Sequence, residues 1–307
     1  MTRKAIEETA NYVPGKQSPY RFFGPTPQPV RIAFGAVSHP GKVRPKNEDH
    51  YAVVRRHRTR SVLMTNLPAE ALKPTEENAY VMVVADGIGG AAFGDLASML
   101  ALQTAWELGE RETAWPMNMN EREALELQEK FDAYAQRIHV ALLDHRRIEP
   151  GTAGMGTTLT AAYPVGTAAF VAHIGDSRAY LFRGGAIHHL TRDHTVAREL
   201  TDAGMARSDA VKFGHLLTKS LGGEGGTVAT DVHHCSLEDG DSLLLCTDGL
   251  TDLVNDEEIA RTLRPGGEAQ DLCEALVGLA LDRGGKDNVT VVLARYEIPS
   301  TEDSHPA

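Results

Sequence analysis

Five acidic positions stand where apolar, β-forming runs begin or end. VMVVADG carries Val81–Ala85 into Asp86-Gly87, FVAHIGDSR places Asp176 just past a run, and SLLLCTDG closes on Asp248-Gly249. KNEDHYAVV opens a run with Glu48-Asp49, and RGGKDNVTVVL opens another with Asp287-Asn288. A single Asp-Gly after a strand is ordinarily a turn. Acids at five strand ends, dispersed along most of the chain, raise a second possibility: the ends converge and four or more carboxylates meet in one cleft. Carboxylates that close repel one another and resist ionising, so such a cleft calls for a cation. Oxygen donors without paired His or Cys suit hard divalent ions, Mg²⁺ or Mn²⁺. Gly87, lacking a Cβ, would let an ion and its waters approach the backbone, and its carbonyl could itself be a ligand. On these residues alone both readings, turn and di-metal site, stay open.

The elements that must position these acids can be read from periodicity. RIAFGAVSH alternates as a strand, DHYAVV (Asp49–Val54) is a second, and NAYVMVVAD is a strong central strand. A polar connection that includes RRHRTR is expected from Arg55 to Asn78. Helices are expected over Phe93–Gly109 and about Glu121–His145, where Leu127, Phe131, Tyr134, Ile138 and Leu142 form one apolar stripe. TTLTAAYP, AAFVAHIG and AYLFRG follow at meander spacing. A short helix near Val196–Ala203, strands VATDVHHC and SLLLCTD, helices EEIARTLR and AQDLCEALVGLA, and a final strand DNVTVVLARYE complete the chain. Strands in consecutive runs with helices inserted in pairs predict packed sheets with helices outside, not a doubly wound parallel sheet.

Composition narrows the function classes. The 307 residues suffice for a sizeable core; 42% are hydrophobic and 24% charged, an ordinary globular balance. The net charge of −11 argues against non-specific binding to nucleic acid and against docking on anionic lipid. Three cysteines, Cys235, Cys246 and Cys273, form no C-x-x-C pair and suit a reducing compartment. None has an Arg six residues later, so a cysteine-based phosphate loop is excluded. MTRKAIEETA lacks the apolar core of a signal peptide and no stretch approaches 18 consecutive apolar residues, so a cytoplasmic protein without a membrane span is expected.

VRPKNEDHYAV, VVADGIGG, MGTTLTAA, HIGDSRAYLFRGG, LTRDHT, LLTKSLGG, LLLCTDGLTDLV and KDNVTVVL, in this order over roughly residues 32–296, resemble the protein phosphatase 2C family, the metal-dependent Ser/Thr protein phosphatases, in its bacterial type. The resemblance implies an α+β fold: a four-layer α-β-β-α sandwich of two antiparallel sheets flanked by helices, with the metals at one end. It divides the chain into a Pro/Gly-rich tail (1–29), a catalytic domain (30–297) with a flap-like segment at about 193–226, and a C-terminal tail (298–307). Asp86 would bridge two Mn²⁺ or Mg²⁺ ions, the Gly87 carbonyl would bind one, and Asp248 and Asp287 would complete the core set. Glu48 and Asp49 would hold metal-bound waters or stand behind the ligands, Arg44 would bind the substrate phosphate, and Asp176 and Asp252 match a third, weaker metal site. Thr157 and Thr158 match a structural motif. The chain departs from animal members at Ile88, where they carry a His proposed as general acid; bacterial members commonly lack it, and a metal-bound water could serve. The expected partners are phosphorylated proteins, among them a Ser/Thr kinase and its targets, met by a monomer.

His188-His189 and His233-His234 are adjacent strand residues facing opposite ways and are expected at the surface or half-buried. RRHRTR could steer a phosphopeptide, although a charge run is usually a solvated face. Two rival functions remain: a relative that binds metal or phosphopeptide without turnover, and a di-metal hydrolase of nucleotides or small phosphate esters.

Overall fold

The structure, a computed structural model, describes residues 30–68, 72, 75–89, 93–111, 121–223, 226–264 and 266–298. The expected tail 1–29, and all of the expected tail 298–307 except Ile298, lie outside the described residues. Among the described residues, eleven strands form two sheets. The first holds β1 (Arg31–His39), β11 (Val289–Glu297), β10 (Ser242–Cys246), β7 (Arg178–Arg183) and β8 (Ala186–His189) in that order. The second holds β2 (Asp49–Arg60), β3 (Thr75–Ile88), β5 (Leu159–Val165), β6 (Ala168–Ile174) and β9 (Asp231–Ser236), with β4 (Gly156–Thr157) paired to the end of β3. Every pairing is antiparallel.

Side-chain alternation assigns the layers. Met82 and Val84 face inward and meet Leu243, Leu245, Val292 and Ala294 of the other sheet, a core between sheets. Their neighbours Val83 and Ala85 face outward, onto Ala97 and Ala101 of α1 (Gly94–Arg111) and Ile138 and Leu142 of α2 (Glu121–Ile148). On the far side Leu244, Val291 and Leu293 meet Ile259 of α6 (Asp256–Leu263) and Leu276 and Val277 of α7 (Ala269–Asp282). Sheets covered on both faces explain why β3, β10 and β11 read as continuous apolar runs. The α-β-β-α expectation holds.

Three local expectations are corrected. RRHRTR is strand: β2 runs to Arg60 and pairs with β3 from Thr75, with Arg58 opposite Glu77 and Arg55 opposite Tyr80. A hairpin is held by backbone bonds, so polar arms can extend it beyond the apolar core. The meander breaks after β6, because β7 leaves for the other sheet and pairs with β10 and β8. Asp176 sits in that crossing. SLLLCTD is strand only to Cys246, and Asp248 opens the short helix α5 (Asp248–Thr251). The flap-like segment holds α3 (Val196–Asp202) and α4 (Arg207–Ala210). No helix of the described residues is long and apolar enough to cross a membrane.

Candidate active site

The ends of β1, β3, β6 and β10 and the starts of β2, β7 and β11 lie at one edge of the sandwich, and the acids gather there. Asp49 and Asp86 are directly opposite in the β2–β3 register. Asp49 is buried, 4% exposed. Its Oδ2 accepts from the hydroxyls of Thr247 (2.8 Å) and Thr290 (2.7 Å), which belong to the other half of the sandwich. Its Oδ1 is buried and has no partner. Burial lifts the Asp49 carboxyl to about 7, the two hydroxyls oppose the rise, and the charges of Asp248 and Asp287 add to it. Asp86 is held through its backbone: its N–H donates to Thr158 Oγ1 (3.0 Å), and its carbonyl accepts from the Thr158 N–H (2.9 Å) and the Thr157 hydroxyl (2.7 Å). Thr157 and Thr158, assigned no chemistry by sequence, thus aim the central acid.

The bare glycines are also points of close backbone approach. A Cβ on Gly87 would lie 2.0 Å from the Gly94 carbonyl oxygen and 2.7 Å from that of Glu48. Its smallness lets the end of β3 press against the start of α1. Gly249 repeats the device, for a Cβ there would lie 1.9 Å from Asn288 O. That close approach brings Asp287-Asn288 beside Asp248. Asn288 is an organiser that sequence reasoning missed. Its Oδ1 accepts from Glu48 N–H (2.8 Å), and its Nδ2 donates to the carbonyls of Pro40 (3.0 Å) and Lys46 (2.8 Å). One amide therefore ties the loop carrying Arg44 and Glu48 to the start of β11. An Asn directly following a site Asp at a strand start was the available signal.

The charges act as one group. Burial, then Asp49, Asp248, Asp176 and Asp287 in turn, push the Asp86 carboxyl well above the usual carboxylate range. Asp248 rises to about 7 through burial and the charges of Asp252 and Asp287, opposed by contact with Asp86 and by Arg44. Asp176 is raised by burial, Asp248 and Asp193, and Asp252, more exposed, is raised by burial against the pull of Arg178. Glu48 is raised by burial, partly offset by Arg44. Arg44, expected at a phosphate, donates to Asp287 Oδ2 at 2.6 Å.

The residues fit a hard divalent ion in kind: oxygen donors only, mutually repelling carboxylates, and an orphaned carboxylate oxygen on Asp49. Among the described residues, no three Asp, Glu, His or Cys side chains are drawn into a closed ligand cluster. Ile88 presents no proton donor. His188 and His234 are exposed and His233 half-buried, as expected, and Cys246 and Cys273 are buried.

The chain matches the family described as Protein phosphatase 2C over residues 69–276, a stretch that holds Asp86, Asp176, Asp248 and Asp252. It is 30% identical over 226 residues to the serine/threonine phosphatase stp of Listeria monocytogenes, covering 73% of this chain and 87% of that protein. It is 36% identical over 220 residues to the serine/threonine protein phosphatase PstP of Mycobacterium tuberculosis, covering 70% of this chain and 40% of that longer protein. The crystal structure of the PstP catalytic domain in complex with two manganese ions matches with a TM-score of 0.67 at 32% identity, over 87% of this chain and 99% of that one. A Streptococcus agalactiae serine/threonine phosphatase matches with a TM-score of 0.71 at 25% identity, over 86% and 99%. By that match and those identities, the chain belongs to the protein phosphatase 2C family.

Proposed function

We propose that this protein hydrolyses phosphoserine and phosphothreonine in proteins, with Mn²⁺ or Mg²⁺ as cofactor. The observation that carries the reading is the convergence of Asp49, Asp86, Asp176 and Asp248 from both sheets on one edge, in a chain whose relatives are named serine/threonine phosphatases. Asp86, Asp248, Asp287 and the Gly87 carbonyl would hold two ions, with Asp176 and Asp252 toward a third. Two such ions, when bound, supply Lewis acidity that activates a water and offsets charge on the phosphoryl oxygens.

The chain's own groups do the rest. Asp49, fixed between two threonine hydroxyls, presents its free Oδ1 to hold and orient a water. Arg44 offers a planar fork for two phosphate oxygens. Its present pair with Asp287 is half-exposed, 50% and 37%, and so is weak enough to exchange for a substrate. Asp287 would hold an ion with the same carboxylate that pairs with Arg44, which would leave the guanidinium to the phosphate.

The finer proposals are that the enzyme acts as a monomer in the cytoplasm and opposes a Ser/Thr kinase. The test is phosphate release from a phosphothreonine peptide with Mn²⁺, with chelator and with a nucleotide as competing substrate. Metal-dependent release from the peptide is expected. No release at saturating Mn²⁺, or faster release from the nucleotide, would overturn the reading.

A further inference from the structure

Asp176 lies in the turn where the chain crosses between sheets, and that turn is gripped from outside. The main-chain N–H of His194 donates to the Gly175 carbonyl (2.7 Å), and the Gly175 N–H donates to His194 Nδ1 (3.0 Å). An Nδ1 that accepts carries no proton, so the ring proton sits on Nε2, which donates to Asp231 Oδ2 (3.0 Å). Asp231 Oδ1 accepts from Lys219 Nζ (2.8 Å), and the His194 carbonyl accepts from the Thr218 N–H (2.8 Å). The two strands of the flap-like segment's root therefore meet at His194, Thr218 through the His194 carbonyl and Lys219 through the Asp231 that its ring donates to; the imidazole is 5% exposed and stacked on His173 at 4.8 Å. On the other side of Asp176, Arg178 makes a two-pronged pair with Asp193 (2.9 and 2.6 Å). Gly175 and Arg178 bracket Asp176; His194 and Asp193, adjacent in the chain, hold the two brackets.

We infer that His194 is a positioning residue that sets the Asp176 turn against the root of the flap, so that a shift of the flap moves Asp176. A buried histidine that only filled space would need neither nitrogen; here both nitrogens and the main-chain N–H are used. Gly175 (φ +111°) cannot secure the turn with a side chain, since a Cβ there would lie 2.5 Å from Thr158 Cγ2. The consequence for turnover rests on the proposed role of Asp176 toward a weaker ion.

The test uses the full chain with His194→Ala, His194→Asn, His194→Gln and Asp231→Ala. The Asn amide oxygen falls near the place of Nδ1 and can accept from Gly175; that of Gln falls near Nε2 and cannot. In chelator, amide exchange at Gly175 should accelerate about tenfold or more in the Ala and Gln variants and stay near the parent rate in Asn. In calorimetric Mn²⁺ titration the weak phase should shift about tenfold in Ala and Gln, with the tight phase unmoved and kcat lowered in step while KM stays within about twofold. Asp231→Ala, at a half-exposed position, frees the imidazole without removing it and should speed Gly175 exchange by a smaller factor, which decides the matter if His194→Ala does not fold. Parent-like exchange in folded Ala and Asp231 variants, or equal behaviour of Asn and Gln, would overturn the inference. A parent that releases no phosphate would instead sink the proposed function, and a parent without a weak phase would sink the role of Asp176; the exchange measurement in chelator still judges His194 in both cases.

Discussion

β3 and β10 end in the same letters, an apolar run followed by Asp-Gly, yet they end differently. After Asp86 the chain stays extended through Ile88 and pairs with β4. At Asp248 it turns into α5. What the two ends share is contact: each glycine abuts a foreign backbone, Gly94 on one side and Asn288 on the other. The first contact sets Asp86 beside Glu48 and α1; the second sets Asp248 beside Asp287. The acid-glycine pair is thus a joint that accepts a second chain segment closely, and two such joints bring Asp86 and Asp248 into contact.

The strongest way to break this comparison is to remove the charge at each joint. Asp86→Asn and Asp248→Asn should each lower phosphopeptide turnover by about a thousandfold at saturating Mn²⁺, with circular dichroism unchanged, because each withdraws an anionic ligand while keeping the shape. Activity of either variant within tenfold of the parent would show that its joint does not serve the ions.

A smaller effect is expected at Arg44, which sits on the second side only. Losing a charge-assisted contact worth about 1.5–3 kcal/mol, Arg44→Ala should raise the KM for a phosphopeptide by about ten- to a hundredfold. An unchanged KM would remove Arg44 from the phosphate.

The joints themselves can be overfilled. Gly87→Ala and Gly249→Ala should each cost about 1–3 kcal/mol in urea unfolding, since backbone cannot yield as a side-chain tip does. They should differ in metal titration. Gly249→Ala displaces the segment carrying Asp287 and weakens the tight phase, whereas Gly87→Ala acts through α1 and Glu48. Equal titrations would mean that the two joints are not distinct.

The smallest effect sharpens the electrostatics. Asp49 and Asp248, on opposite sides, both rise to about 7 in the metal-free chain. An acid raised on folding adds stability that is full below its unfolded value near 3.8 and lost as pH rises through about 7. In chelator, then, Asp248→Asn should gain a few degrees of melting temperature relative to the parent between pH 5 and pH 8. A difference that does not change with pH would show that these acids repel little.

Sequence alone carried the apolar runs of β3, β10 and β11, the stripe of α2 and the acids at strand ends, because alternation, helical period and side-chain type are local properties written residue by residue. Periodicity missed the polar arm Arg55–Arg60, whose strand state comes from its partner across the hairpin. It also missed the crossing of β7 to the other sheet, since an antiparallel strand offers the same apolar face to either neighbour. Asp86 could be picked out as an acid, but not its aim, which depends on Thr157 and Thr158 more than 70 residues later. Likewise Asn288 and His194 look ordinary in the chain and gain their parts only through bonds to residues 240 and 19 positions away. The sequence by itself determined which groups are available and which segments are apolar enough to be buried. Only the tertiary structure decided which groups meet, because meeting depends on close backbone approach and on hydrogen bonds between segments that no local pattern encodes.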